Sequence, residues 1–153
     1  MYSQRIVNDK LHAALDKLTR DNLPLMPVLC ADTEVVFNHR IMGKPVSYQD
    51  AFSMLKSYSG KSHQVITSVG VKYRDYQKIA THRTTVHFSV IEDSQIAHYL
   101  ASNDYADKAG GYGIQSYIAQ FIHHIDGCLY SVMGLPLSMT RELLFACQRL
   151  KND

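Results

Sequence analysis

The sequence predicts an α/β domain built on a mixed sheet. Three observations predict it. Amphipathic stretches with helical spacing lie near both ends, and residues 63–73 and 78–91, rich in Val, Ile, Thr, Tyr and Phe, flank Arg74-Asp75-Tyr76-Gln77 as a long hairpin would. The helical and extended stretches alternate irregularly between Gly and Pro breaks, a pattern that mixes hairpins with crossovers. With 153 residues, no internal repeat and no linker, the chain reads as a single domain over 1–153.

Residues 2–19 form the first helix: Ile6, Val7, Leu11, Ala14, Leu15 and Leu18 share one face, and Arg5, Asp9, Asp16 and Lys17 take the other. Asn22, Pro24 and Pro27 end it. Val28 to Ala31 suits a strand buried on both faces, which runs out at Asp32-Thr33, and Glu34 to Phe37 extends or re-enters the sheet. Asn38-His39-Arg40 makes a turn and Gly43-Lys44-Pro45 a second break. Ser47 with Asp50 reads as a helix N-cap with an acidic first turn; Ala51, Met54 and Leu55 give the helix its apolar face, and Gly60 stops it. After the hairpin, Glu92-Asp93 caps a helix running to about Ala101. Asn103 to Gly113 is a polar, Gly-rich loop. Ile118 to Ile125 and Leu129 to Met133 read as strands around Asp126-Gly127, and a final helix spans about 137–150 after Gly134-Leu135-Pro136.

Composition excludes several classes. Hydrophobic residues at 46% and charged residues at 20% are ordinary for a globular chain. A net charge of +2 is too mild to argue for nucleic acid or an anionic membrane surface. The longest candidate apolar run, Leu23 to Ala31, is broken by prolines and falls well short of the roughly 20 residues of a membrane span, and the first residues do not read as a secretory signal. Cys30, Cys128 and Cys147 are scattered and odd in number; they read as reduced, mostly buried thiols of a cytoplasmic protein. The eight histidines show no metal-ligand spacing, and the adjacent His123-His124 would point to opposite faces of a strand. Gly60-Lys61-Ser62 lacks the first Gly of a P-loop, and Gly111-Tyr112-Gly113 lacks the third Gly of a dinucleotide fingerprint, with Ser116 in its place.

Three segments place polar residues beside permissive backbone. In Val28-Leu29-Cys30-Ala31-Asp32-Thr33, a carboxylate ends a buried strand, where it either holds a divalent cation or orients a water, or else caps the turn. In Gly43-Lys44-Pro45 a lysine on a constrained backbone is aimed at a phosphate or is an ordinary turn lysine. In Asp107-Lys108-Ala109-Gly110-Gly111-Tyr112-Gly113-Ile114-Gln115 the glycines let backbone approach an anion, Lys108 adds charge, and Gln115 can address a water or a base edge.

Taken together these segments resemble the Maf family of nucleoside triphosphate pyrophosphatases. The resemblance runs in order through Ala31-Asp32-Thr33, Gly43-Lys44-Pro45, Ser59-Gly60-Lys61-Ser62-His63-Gln64-Val65-Ile66-Thr67, Thr85-Val86-His87-Phe88, Asp107 to Gln115, and Val132-Met133-Gly134-Leu135-Pro136. Ala-Asp-Thr is similar to the dTTP/UTP-preferring branch. The resemblance implies a highly twisted mixed sheet flanked by helices, as in inosine triphosphatase-like folds, a divalent cation, Mg2+ in family terms, and a homodimer. It implies catalytic roles for Asp32, Lys44 and Gln115, metal binding by Asp32, and substrate binding by Lys10, Thr33 and Lys108. The implied reaction is attack of water on the α-phosphorus of a nucleoside triphosphate, releasing pyrophosphate. The family's opening strand and Ser-Pro-Arg-Arg-type loop have no counterpart in the sequence, so the expectation is a Maf-like domain truncated at its amino end. That truncation is expected to remove two phosphate-gripping arginines and to expose a sheet edge or apolar patch. Ser89, Gln95, Ser116 and Ser131 also depart from the family's usual residues. The alternative reading is a degenerate relative that binds nucleotides with little turnover and acts in cell division. Neither reading calls for nucleic acid or a membrane.

Overall fold

The structure, a computed structural model, describes residues 2–149. Its elements are α1 (Tyr2–Arg20), β1 (Val28–Phe37), β2 (Arg40–Met42), α2 (Tyr48–Tyr58), β3 (Ser62–Tyr73), β4 (Tyr76–Phe88), α3 (Asp93–Leu100), β5 (Ile122–Asp126), α4 (Leu129–Val132) and α5 (Leu137–Arg149). Short 3-10 turns occupy Ala109–Gly111 and Tyr117–Phe121. The five strands form one sheet in the order β2-β1-β3-β4-β5.

The α/β class holds, and every strand pairing is antiparallel where a mixed sheet was expected. The reason lies in the connections. β1 turns directly into β2 through Asn38 and His39, both at positive φ, and β3 turns into β4 through Arg74 (φ 51°). The helix α2 carries the chain from β2 back to β3, which runs antiparallel to β1 with Thr33 opposite Thr67 and Val35 opposite Val65. Glu34 to Phe37 continue β1 without a break.

Two expected strands are corrected. Residues 117–121 wind into a 3-10 turn, so β5 starts only at Ile122. Leu129 to Val132 is a helical turn, α4, instead of a strand. Its apolar residues satisfied a strand pattern over a length too short to separate strand from helix. The other boundaries agree with expectation within a few residues: the Ser47 hydroxyl accepts from the Asp50 N–H at 3.1 Å, and Gly60 stands at φ 68° just past α2. The expected end of the last helix at 150 lies outside the described residues.

The sheet has different tasks on its two faces. On one, α1 packs so closely that Gly70 of β3 touches Val7 and Leu11; a Cβ there would lie 2.6 Å from Val7. The other face carries two apolar clusters. The larger gathers Val35, Leu55, Tyr58, Val65, Phe88, Ile96, Tyr99 and Tyr112 beneath α2 and α3. The smaller sets Val69, Val71 and Tyr73 against Leu143 and Cys147 of α5. Of the three thiols only Cys147 is fully buried; Cys30 and Cys128 are half-buried, and all are free.

The candidate active site

A cavity of about 300 Å³ opens on the sheet face beside the larger apolar cluster, which supplies Val35, Val65 and Tyr112 to its lining. Thr33 and Val35 of β1 and Val65 of β3 form its floor. Val132, Met133 and Gly134 close one side, and Lys44 with the loop from Asp107 to Gln115 forms the other. Apolar side chains supply much of the wall; the polar groups are Thr33 on β1 and Lys44, Asp107, Lys108 and Gln115 on loops, a mixture common in ligand sites.

The two lysine-bearing segments are tied to each other. The Gly110 N–H donates to the Gly43 carbonyl at 2.9 Å, which seats the Gly43-Lys44-Pro45 turn against the Gly-rich loop. Gly110 is at φ 73°, and a Cβ there would come within 2.9 Å of Val35, so glycine is required both for the turn and for the approach to β1. Lys108 donates to Asp107 at 2.6 Å, and this bond raises the Lys108 pKa and lowers that of Asp107. Lys44 is exposed and forms no hydrogen bond or ion pair among the described residues, so it is free to meet an anion.

On the floor, the Thr33 hydroxyl lies 2.8 Å from that of Thr67, and Thr67 donates to the Ser131 carbonyl at 2.7 Å. Since a carbonyl only accepts, the Thr67 proton is committed and Thr33 donates to Thr67. Thr33 is thus held by a chain that crosses from β1 through β3 to α4.

The sheet separates the remaining candidates. Consecutive residues of a strand point to opposite faces, so with Thr33 on the cavity face Asp32 turns to the α1 side. There Lys10 donates to Asp32 at 2.8 Å and to the Ala31 carbonyl at 3.0 Å. The structure therefore brings Thr33, Lys44, Lys108 and Gln115 together and pairs Asp32 with Lys10 apart from them. The β1 backbone between the two groups has a free edge: β3 pairs with Val28–Val36, whereas β2 reaches only Val35–Phe37. Leu23, Leu25, Met26 and Leu29, just before and at the start of β1, are exposed.

Asp32 is one-fifth exposed, with one carboxylate oxygen on Lys10 and no hydrogen bond to the other among the described residues. Among those residues no group of three or more His, Cys, Asp or Glu side chains is arranged to hold a metal ion. A lone carboxylate still fits Mg2+, which keeps several waters and takes phosphate oxygens together with one or two carboxylates.

Sequence reasoning missed Tyr112, His63 and Thr67. Tyr112 lines the cavity, and its hydroxyl lies 2.7 Å from His63 Nε2. Burial drives the His63 pKa down to about 4, with a smaller push from His87. Burial also raises the Tyr112 and Tyr58 hydroxyl pKa values. Each missed residue stood inside a quoted motif, but only strand register and loop packing show what it touches.

The chain matches the family described as Maf-like protein over residues 1–147. It is 44% identical over 143 residues to a dTTP/UTP pyrophosphatase of Nitrosomonas europaea, an alignment covering 94% of this chain and 69% of the relative. It is 39% identical to the dTTP/UTP pyrophosphatase of Dechloromonas aromatica (94% and 71% covered) and 41% identical to that of Chromobacterium violaceum (94% and 72% covered). A match across nearly all of the chain, joined to a cavity formed by the family's ordered motifs, places this protein in the Maf-like family.

Proposed function

We propose that the protein is a nucleoside triphosphate pyrophosphatase acting on dTTP and UTP. The observation that carries this reading is the cavity itself, which Lys44, Lys108 and Gln115 line from one side above Thr33 on the floor, beside apolar walls of the right chemistry for a base and sugar. The activity is the one printed in the relatives' names.

Water attacks the α-phosphorus, the bond from that phosphorus to the bridging oxygen breaks, and pyrophosphate leaves with the bonding pair. The water's proton passes to solvent or to a nearby base. Lys44 and Lys108 neutralise phosphate charge that grows as the bond breaks, so their contribution is largest in the transition state. Gln115 orients the attacking water or the base, and Thr33 contacts the substrate from the floor. A triphosphate extending past β1 toward Asp32 and Lys10 would meet Lys10 with a phosphate, and Asp32 would hold the cation. Bound there, Mg2+ would offset phosphate charge. Asp32 itself orients water or cation through its unpaired oxygen, and Lys10 fixes the carboxylate.

Pyrophosphate release from UTP and dTTP, with and without Mg2+, tests this. Lys44→Ala is expected to lower kcat/KM by about 10²–10³, the usual loss for one preorganised electrostatic contact. Asp32→Asn is expected to lose activity to a similar degree. Full activity in Asp32→Asn would remove Asp32 from the mechanism. The protein is also proposed to form a homodimer, supported by the exposed Leu129, Tyr130 and Leu137 on α4 and the start of α5. Light scattering at twice the mass of one chain is the expected result.

A further inference from the structure

The His63 side chain has no part in the reaction just described, yet it is buried to 3% exposure and makes a single side-chain hydrogen bond. That bond, from Nε2 to the Tyr112 hydroxyl at 2.7 Å, goes to the loop that carries Lys108 and Gln115. The ring is fixed from several directions. It lies tilted on Tyr58 with centroids 4.6 Å apart, near-parallel to Phe88 at 5.6 Å, and edge-to-face with Tyr112 at 5.5 Å. His63 Nδ1 has no hydrogen-bond partner among the described residues. Burying an imidazole with one nitrogen unpaired is costly, and a phenyl ring would fill the same aromatic cluster without that cost. Stability therefore does not explain the choice of histidine; a directed bond to Tyr112 does.

The loop needs such an anchor. Tyr112 is flanked by Gly111 at φ 76° and Gly113, and Gly110 is at φ 73°. Three glycines in four positions leave the backbone conformationally loose. Its other ties beyond the loop's own short-range bonds run from Gly110 N–H to the Gly43 carbonyl and from Gly113 N–H to the Tyr99 hydroxyl at 3.3 Å. Tyr112 is the one large side chain between them. Its ring forms part of the cavity wall while its hydroxyl reaches into the core at β3.

We propose that His63 is a positioning residue that, through Tyr112, holds the Lys108–Gln115 loop in its substrate-binding form. It touches no substrate. The inference deepens the pyrophosphatase reading and rests on it for its kinetic arm. A loop that loses this anchor is reordered when the nucleotide binds, so the cost falls on binding and not on the chemical step.

The test compares His63→Phe, His63→Gln, Tyr112→Phe and the double variant His63→Phe/Tyr112→Phe. His63→Phe keeps an aromatic ring and removes the bond. His63→Gln keeps a polar nitrogen at a comparable reach. The expected result is a KM for UTP raised about tenfold in His63→Phe and Tyr112→Phe, with kcat changed less than twofold and thermal stability of His63→Phe equal to or above the parent. The double variant should show no further loss, because both changes delete one bond. His63→Gln should recover most of the KM. Hydrogen exchange over residues 108–116 should quicken in His63→Phe, and this arm needs no turnover. An unchanged KM with unchanged exchange, or additive losses in the double variant, would overturn the proposal. If the parent releases no pyrophosphate from UTP or dTTP, the functional reading fails, and the exchange arm alone still decides whether His63 holds the loop.

Discussion

At the scale of single residues, the site combines groups kept free with groups kept fixed. Lys44 has no partner among the described residues, which leaves its charge available, whereas Lys108 and Lys10 are already paired with Asp107 and Asp32. Substrate must compete for those pairs; the Lys108–Asp107 pair is exposed and worth little, whereas Asp32 is largely buried and its pair with Lys10 is the firmer one. His63 shows the opposite condition. Burial holds its pKa near 4 in the folded protein against 6.5 for an unperturbed histidine. Between those values the unfolded chain binds the extra proton and the folded one does not. His63 therefore carries no pH-linked penalty above pH 6.5, and folding stability is lost as pH falls toward 4, by up to about 3 kcal/mol. Urea unfolding at pH 7.5 and pH 4.5 should show a larger loss on acidification for the parent than for His63→Phe.

Among the elements, the decisive contact is that of the Gly-rich loop with β1. Gly110 meets Val35 so closely that it cannot carry a side chain, and its N–H also secures the turn bearing Lys44. Gly110→Ala is expected to destabilise the protein by about 1–3 kcal/mol through left-handed strain alone, with the clash against Val35 added to it. Nucleotide binding should weaken as well, because both lysine segments move together. Denaturant midpoints and UTP titration would check the two effects separately. The β1 strand has three jobs at once: Thr33 and Val35 floor the cavity, Asp32 meets Lys10 on the opposite face, and the edge between them is unpaired. Period-two alternation makes this division unavoidable for any strand that carries Asp and Thr in sequence.

For the molecule as a whole, the cavity draws residues from β1, β3, the Gly-rich loop and the end of α4, which only the folded chain brings together. A ligand held there binds only the folded form and stabilises it by mass action. A non-hydrolysable UTP analogue at a hundredfold excess over its Kd should add about 2.7 kcal/mol, which raises Tm by about 5–10 °C for a domain of this size. Lys44→Ala should shrink that rise while leaving the Tm of the free protein unchanged, since an exposed lysine with no partner contributes little to the fold. An equal rise in both proteins would place the nucleotide elsewhere.

The sequence by itself determined most elements and singled out candidate site residues. Helical spacing defined α1, α2 and α5; the β-rich runs around Arg74 defined the central hairpin; and the ordered motifs singled out Asp32, Lys44, Lys108 and Gln115. These signals are local, carried by residues a few positions apart, and a single sequence displays them directly. Only the tertiary structure decided the antiparallel sheet, the helical state of Leu129–Val132, and the split that places Asp32 on one face and Thr33 on the other with Lys44. It also decided that His63 meets Tyr112 across 49 positions of chain and that Thr67 backs Thr33 across 34. Contacts at such separation depend on strand register and on how a glycine-rich loop packs against its neighbours, and neither leaves a periodic trace in the residues that make them.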